Sequence, residues 1–113
     1  MKLIDRETLY EKLQSGEPFT LVMALGERAF QAAHIPGSRH FATIEDALDA
    51  LDPAEEIVVY CSGPTCVASA TAYWFLQSHG YENVSRFAGG LEAWVEAGYP
   101  LEGEQAELLA AAD

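Results

Sequence analysis

The sequence predicts a single α/β domain, a mainly parallel sheet with helices on both faces, and three observations carry that expectation. Apolar runs too short for helices alternate with stretches whose apolar residues recur every three or four positions. The run Ile57-Val58-Val59-Tyr60 is β-branched and aromatic without polar alternation, the mark of a strand buried on both faces of a parallel sheet. The stretch Val67 to His79 carries Ala68, Ala70, Ala72, Tyr73, Trp74, Phe75 and Leu76 and leaves almost no polar face, so a buried helix is expected there.

Taken in order, Lys2 to Asp5 reads as a short edge strand. It leads into a helix from Arg6 to Leu13 with its apolar stripe at Leu9, Tyr10 and Leu13, ending near Ser15-Gly16. Phe19 to Met23 is a second strand, Gly26 breaks it, and Glu27 to Ala33 is a short helix. His34-Ile35-Pro36-Gly37-Ser38 is turn chemistry, because Pro36 pre-sets one backbone angle and Gly37 follows it. Arg39-His40-Phe41 is expected as a short third strand. From Thr43 to Leu51 the residues Ile44, Ala47, Leu48 and Leu51 share one face, with Thr43 as cap and Glu45 and Asp46 in the first turn. Asp52-Pro53 stops that helix before the Ile57–Tyr60 strand. After the long apolar helix come Gly80, a strand over Val84-Ser85-Arg86-Phe87, and a helix over Leu91 to Ala97 stopped by Gly98. A last helix is expected from Glu104 to Ala112, frayed within 104–113, and residues 1–113 are expected to form one domain without repeats or linker.

A chain of 113 residues can bury about two-thirds of its unfolded surface around a single core without staples. No apolar run approaches the ~20 residues of a membrane span. The opening Met1-Lys2-Leu3-Ile4-Asp5-Arg6 mixes charge into what a secretion signal keeps apolar, so a cytoplasmic location is expected. Two cysteines in one loop do not make the disulfide framework of a small secreted domain. The formal charge of -12, from 18 acidic against 6 basic residues, makes nucleic acid and anionic membranes poor partners and a cationic protein a better one. The acids are spread along the chain rather than blocked, so plain solubility accounts for them ahead of any partner.

The chemistry centres on Cys61-Ser62-Gly63-Pro64-Thr65-Cys66-Val67. Cys61 falls at the carboxyl end of the expected central strand, where open α/β sheets place their ligands. Gly63 gives the loop backbone freedom, Pro64 fixes its course, and Thr65 is the expected cap of the following helix. Amides of such a loop, with the positive end of a helix dipole, favour an anion and lower a thiol's pKa, and they are expected to converge on Cys61. Cys61 is therefore read as a nucleophile or sulfur carrier, against the bland reading of a small apolar filler.

The residues resemble the rhodanese-like domain, a family of sulfurtransferases and related sulfur-handling modules, over most of the chain. The resemblance is carried by Phe19-Thr20-Leu21-Val22, Ala33-His34-Ile35-Pro36-Gly37-Ser38, Val59-Tyr60-Cys61-Ser62-Gly63, Phe87-Ala88-Gly89-Gly90-Leu91-Glu92-Ala93-Trp94 and Gly98-Tyr99-Pro100. It implies a five-stranded, mainly parallel sheet. It also implies a catalytic Cys61 that takes sulfur from a small donor or a protein persulfide and passes it to a nucleophile, with no metal or organic cofactor.

Two departures shape the expectation. Active members of the family usually carry an arginine or lysine in the loop, often where this chain has Cys66, and none of its basic residues lies between Cys61 and Val67. Thiosulfate activity is therefore expected to be weak, because a dianionic donor loses its charge partner. The arginine that related phosphatases and arsenate reductases place six residues after the cysteine is replaced by Val67, which disfavours oxyanion transfer. Where the family commonly reads Asp-Val-Arg, this chain has Met23-Ala24-Leu25, which leaves a catalytically silent interaction module as an alternative. Cys66 is a candidate resolving thiol for a Cys61/Cys66 redox couple, against a reading as a small core residue. Zinc is not expected, since His34, His40 and His79 are scattered. Trp74 and Trp94 are both expected in the core.

Overall fold

In a computed structural model, residues 1–111 are described. The elements run α1 (Arg6–Ser15), β1 (Thr20–Met23), α2 (Glu27–Ala32), α3 (Ile44–Ala50), β2 (Ile57–Tyr60), α4 (Ala68–Ser78), β3 (Val84–Phe87), α5 (Gly90–Glu96) and α6 (Ala106–Ala111). The helix ends obey local chemistry. The Thr8 amide donates to the Asp5 carboxylate at 2.8 Å to start α1, and Thr43 and Asp46 form a reciprocal capping box on α3. Gly16 ends α1 in the left-handed conformation, at φ 74°. Ala112, the expected end of the last helix, lies outside the described residues.

The three strands form one parallel sheet in the order β1-β2-β3, with Val22 beside Val59 and Val59 beside Arg86. The α/β class and parallel sheet stand, but five strands are not present among the described residues. The two expected outer strands are each reduced to a single bridge, Leu3 to Arg86 at one edge and Arg39 to Val22 at the other. The cause is local. Asp5 is still extended, but its side chain caps α1, which starts at Arg6 and ends that run; on the other edge Arg39 alone bridges Val22.

Alternation along the strands divides the core into two clusters. Val22, Ile57, Val59 and Val84 pack with residues of α3 and α4, while Leu21, Met23, Val58, Tyr60 and Phe87 pack with Leu9 of α1 and Trp94 of α5. Helices thus cover both faces. A helix lying on a sheet buries one stripe only, so α4 hides Ser69, Ala72, Tyr73 and Leu76 and leaves Trp74 55 % exposed, contrary to the expectation of a wholly buried helix. Trp94 is fully buried as expected, its indole N–H donating to the carbonyl of Pro100 at 2.7 Å.

The turn after α2 is tied to the central strand through Tyr60. Its hydroxyl accepts the Ile35 amide at 3.0 Å and lies 2.7 Å from the Ser38 hydroxyl. Burial of the ring pushes the phenol up to about 12. This bond pair anchors the residue immediately before Cys61.

Candidate active site

Cys61 follows β2 at the sheet's carboxyl end, and the first turn of α5 holds its loop in place. The amides of Leu91 and Glu92 donate to the carbonyls of Cys61 and Ser62, each at 2.9 Å. Gly90 makes this approach possible: its φ is 61°, and a methyl group there would lie 2.5 Å from the Cys61 carbonyl oxygen and 2.7 Å from the Gly63 nitrogen. Gly63 is buried against Glu92, whose Oε2 would meet an added methyl at 2.6 Å. Ser62, Pro64, Thr65 and Val67 are exposed. Thr65 is not the helix cap; α4 begins at Ala68 after Val67, with no side chain capping it.

The two cysteines are free thiols with different exposures, Cys61 buried at 1 % and Cys66 partly open. The Cys61 sulfur lies 3.2 Å from the Ser69 hydroxyl and 3.5 Å from the Cys66 carbonyl. Behind them stands Arg86 of β3, whose Nε donates to Ser69 Oγ at 2.8 Å and whose Nη2 donates to the Cys66 carbonyl at 3.1 Å. Groups at the loop and at the start of α4 act on the Cys66 thiol. Partial burial raises the Cys66 thiol, but hydrogen bonds from the Cys61 thiol, the Ala68 amide, and the amide and hydroxyl of Ser62 outweigh it and bring it down to about 7.

That value has a sign that can be tested. Below it Cys66 holds its proton and reacts slowly; above it the thiolate is present. Iodoacetamide alkylation of Cys66, mapped by mass spectrometry, is expected to reach half its limiting rate near pH 7. Cys61→Ala removes one donor and moves that midpoint up towards the ~8.5 of an ordinary thiol. A wild-type midpoint already at the ordinary value contradicts the assignment. The groups that bear on it are Cys61, Ala68 and Ser62.

The sequence pattern assigns no role at the site to Arg86 or Ser69, and it names Gly90 and Glu92 only within the motif that carries the resemblance. A usable signal was present for Arg86, since one arginine inside an otherwise apolar strand requires partners. Because Val59 and Arg86 are register neighbours on the face covered by α4, the guanidinium reaches Ser69 across the sheet edge. Arg86→Met keeps the apolar stem and removes both charge-assisted bonds. It is expected to cost about 2 kcal/mol in urea unfolding. A change within experimental error would mean that the guanidinium does not brace the loop.

Beside the site is an apolar cleft of about 360 Å³, lined among others by Met23, Ala24, Leu25, Phe41, Ile44 and Thr71. Its wall includes Ala68, the first residue of α4 after the cysteine loop, and Ala24, whose amide donates to the carbonyl of Tyr60, the residue before Cys61, at 2.8 Å. The histidines are engaged elsewhere, His34 with the carbonyl of Phe30, His40 with that of Leu25 and His79 with that of Phe75.

The loop, its strand and the clamping helix are matched in known proteins. The Rhodanese-like domain family profile matches residues 5–97. The chain belongs to the rhodanese-like domain family. Among solved structures, the rhodanese-like domain of the Anabaena sp. Alr3790 protein is 30 % identical, with a TM-score of 0.83 over 93 % of this chain and 81 % of that one. A rhodanese-like domain protein from Staphylococcus aureus is 26 % identical, with a TM-score of 0.74 over 83 % and 91 % of the two chains. The BH2092 protein from Bacillus halodurans shares the fold at 24 % identity, with a TM-score of 0.86 over 94 % and 80 %. Family membership covers the sheet, the cysteine loop and the Gly89-Gly90 turn together. Among the described residues, no helix is long and apolar enough to cross a membrane.

Proposed function

We propose that this rhodanese-like domain is a sulfurtransferase or sulfane-sulfur carrier that holds sulfur as a persulfide on Cys61. The observation that carries this reading is the line Arg86, Ser69, Cys61. With one lone pair of the Ser69 oxygen accepting from Arg86, its hydroxyl proton is free to point at an anionic sulfur 3.2 Å away. A partly buried cation set behind a hydroxyl stabilises a thiolate or persulfide. Neither a metal nor an organic cofactor has a step to perform in such a transfer.

The same arrangement disfavours thiosulfate as donor. The guanidinium is turned inward to Ser69 and the Cys66 carbonyl, and the Glu92 carboxylate stands against the loop at Gly63. The -12 charge adds long-range repulsion of a dianion. Sulfur loading is expected to be slower from thiosulfate than from a small persulfide by on the order of tenfold or more. Equal rates from both donors would remove the charge argument. Loading from neither would leave the alternative, a catalytically silent interaction module. The apolar cleft lined by Met23, Ala24 and Leu25 suits the carbon skeleton of a persulfide or thiol better than a second charged group. A cationic protein that presents the sulfur fits the surface charge.

A further inference from the structure

We propose that Cys66 resolves the persulfide on Cys61, so that the domain reduces sulfane sulfur to hydrosulfide at the expense of an external dithiol. This rests on Cys61 being the residue that is loaded.

The Cys61 sulfur already lies 3.5 Å from the backbone carbonyl of Cys66, so the loop folds the second cysteine back over the first, and a bond between them requires the Cys66 side chain to turn towards Cys61. Cys66 is held in position for it, because Arg86 and the Cys61 thiol both donate to its carbonyl oxygen. Exposure divides the roles. Cys61 is buried at the foot of the loop, and Cys66 is the partly open thiol that an outside reductant reaches. Amides and a hydroxyl of the loop face Cys66 and stabilise it as the attacking thiolate near neutral pH.

The steps balance. A persulfide R–S–SH gives its outer sulfur to the Cys61 thiolate, leaving R–S⁻ and Cys61–S–SH. The Cys66 thiolate then attacks the Cys61 sulfur. The Cys61–Cys66 bond forms, the bond to the outer sulfur breaks, and HS⁻ leaves with the electron pair. The sulfane sulfur is reduced by two electrons and the two cysteines are oxidised by two. A dithiol returns them to thiols and becomes a disulfide itself. The substrate class is thus a small-molecule or protein persulfide, and the co-reactant is a dithiol.

The test mixes reduced wild-type protein and Cys66→Ser, each without reductant, with an equimolar amount of glutathione persulfide, and reads intact mass and free hydrosulfide together. Wild type is expected to become lighter by two hydrogens and to release nearly one hydrosulfide per chain. Cys66→Ser is expected to gain the mass of one sulfur and release none above the protein-free blank. Cys66→Ala repeats the measurement without a hydroxyl at a partly exposed position, so a defect peculiar to serine is separated from loss of the thiol. Wild type that keeps the added sulfur and forms no disulfide overturns the resolving role and leaves the carrier reading intact. Failure of both Cys66 variants to take up sulfur, with wild type also unloaded, overturns both.

Discussion

Gly90→Ala is expected to destabilise the domain by about 2–5 kcal/mol and to displace the cysteine loop in whatever fraction stays folded. Two costs add. A residue with a Cβ at φ 61° meets left-handed backbone strain of roughly 1–2 kcal/mol, and the new methyl is driven against backbone that cannot swing aside. The atoms it meets are the Cys61 carbonyl at 2.5 Å, the Gly63 nitrogen at 2.7 Å and the Ser62 carbonyl carbon at 2.8 Å. Relief requires α5 to move away from the loop, which breaks the Leu91 and Glu92 bonds to Cys61 and Ser62. Against a total stability of about 5–15 kcal/mol for such a domain, the loss is large. Gly98→Ala is the control, because its φ of 76° brings the same kind of strain with nothing within 4 Å of the added methyl. Urea unfolding of both variants should show Gly90→Ala losing clearly more than Gly98→Ala. Equal losses would mean that the close approach to Cys61 is not what the glycine is there for.

Cys61→Ser is expected to abolish sulfur loading while leaving the fold within about 1.5 kcal/mol of wild type. A serine side chain is slightly smaller than a cysteine and leaves its hydroxyl facing that of Ser69, so the loop has little reason to rearrange. It cannot hold sulfane sulfur, and at neutral pH it is not ionised. Loading of the variant should fall to the level of the protein-free blank in the presence of a small persulfide, with Cys66 still present. Loading at the wild-type rate would move the carrier role to Cys66.

The parts of the fold that were legible in the sequence are those whose cause is local. The unalternating run Ile57–Tyr60 is fully buried at the sheet's centre, and the Thr43 cap is present with its reciprocal Asp46 bond. The turn at Ile35–Ser38 is where Pro36 and Gly37 place it. What the pattern could not show are pairings set by the sheet. Arg86 lies 17 residues beyond Ser69 and meets it only because β3 lies beside β2 in a register that aims the guanidinium at α4. No basic residue lies between Cys61 and Val67 in the sequence, and the cation beside the loop arrives from the adjacent strand. The same limit explains the edge strands. Leu3 and Arg39 do bridge the sheet, but α1, capped by Asp5, starts at Arg6, and neither segment extends beyond a single bridge. Trp74 reads as a core residue because α4 is apolar nearly all round, but the sheet covers only one side of the helix and Trp74 lies on the other.

The measurement that bears most directly on a sulfur-carrying Cys61 is peptide mapping of Cys66→Ser after exposure to inorganic polysulfide. Removing Cys66 takes away the internal thiol that would discharge the adduct. The expected result is one added sulfur per chain, located on the peptide that contains Cys61 and removed by a dithiol. An unchanged mass, or an added sulfur found on any other residue, would contradict it.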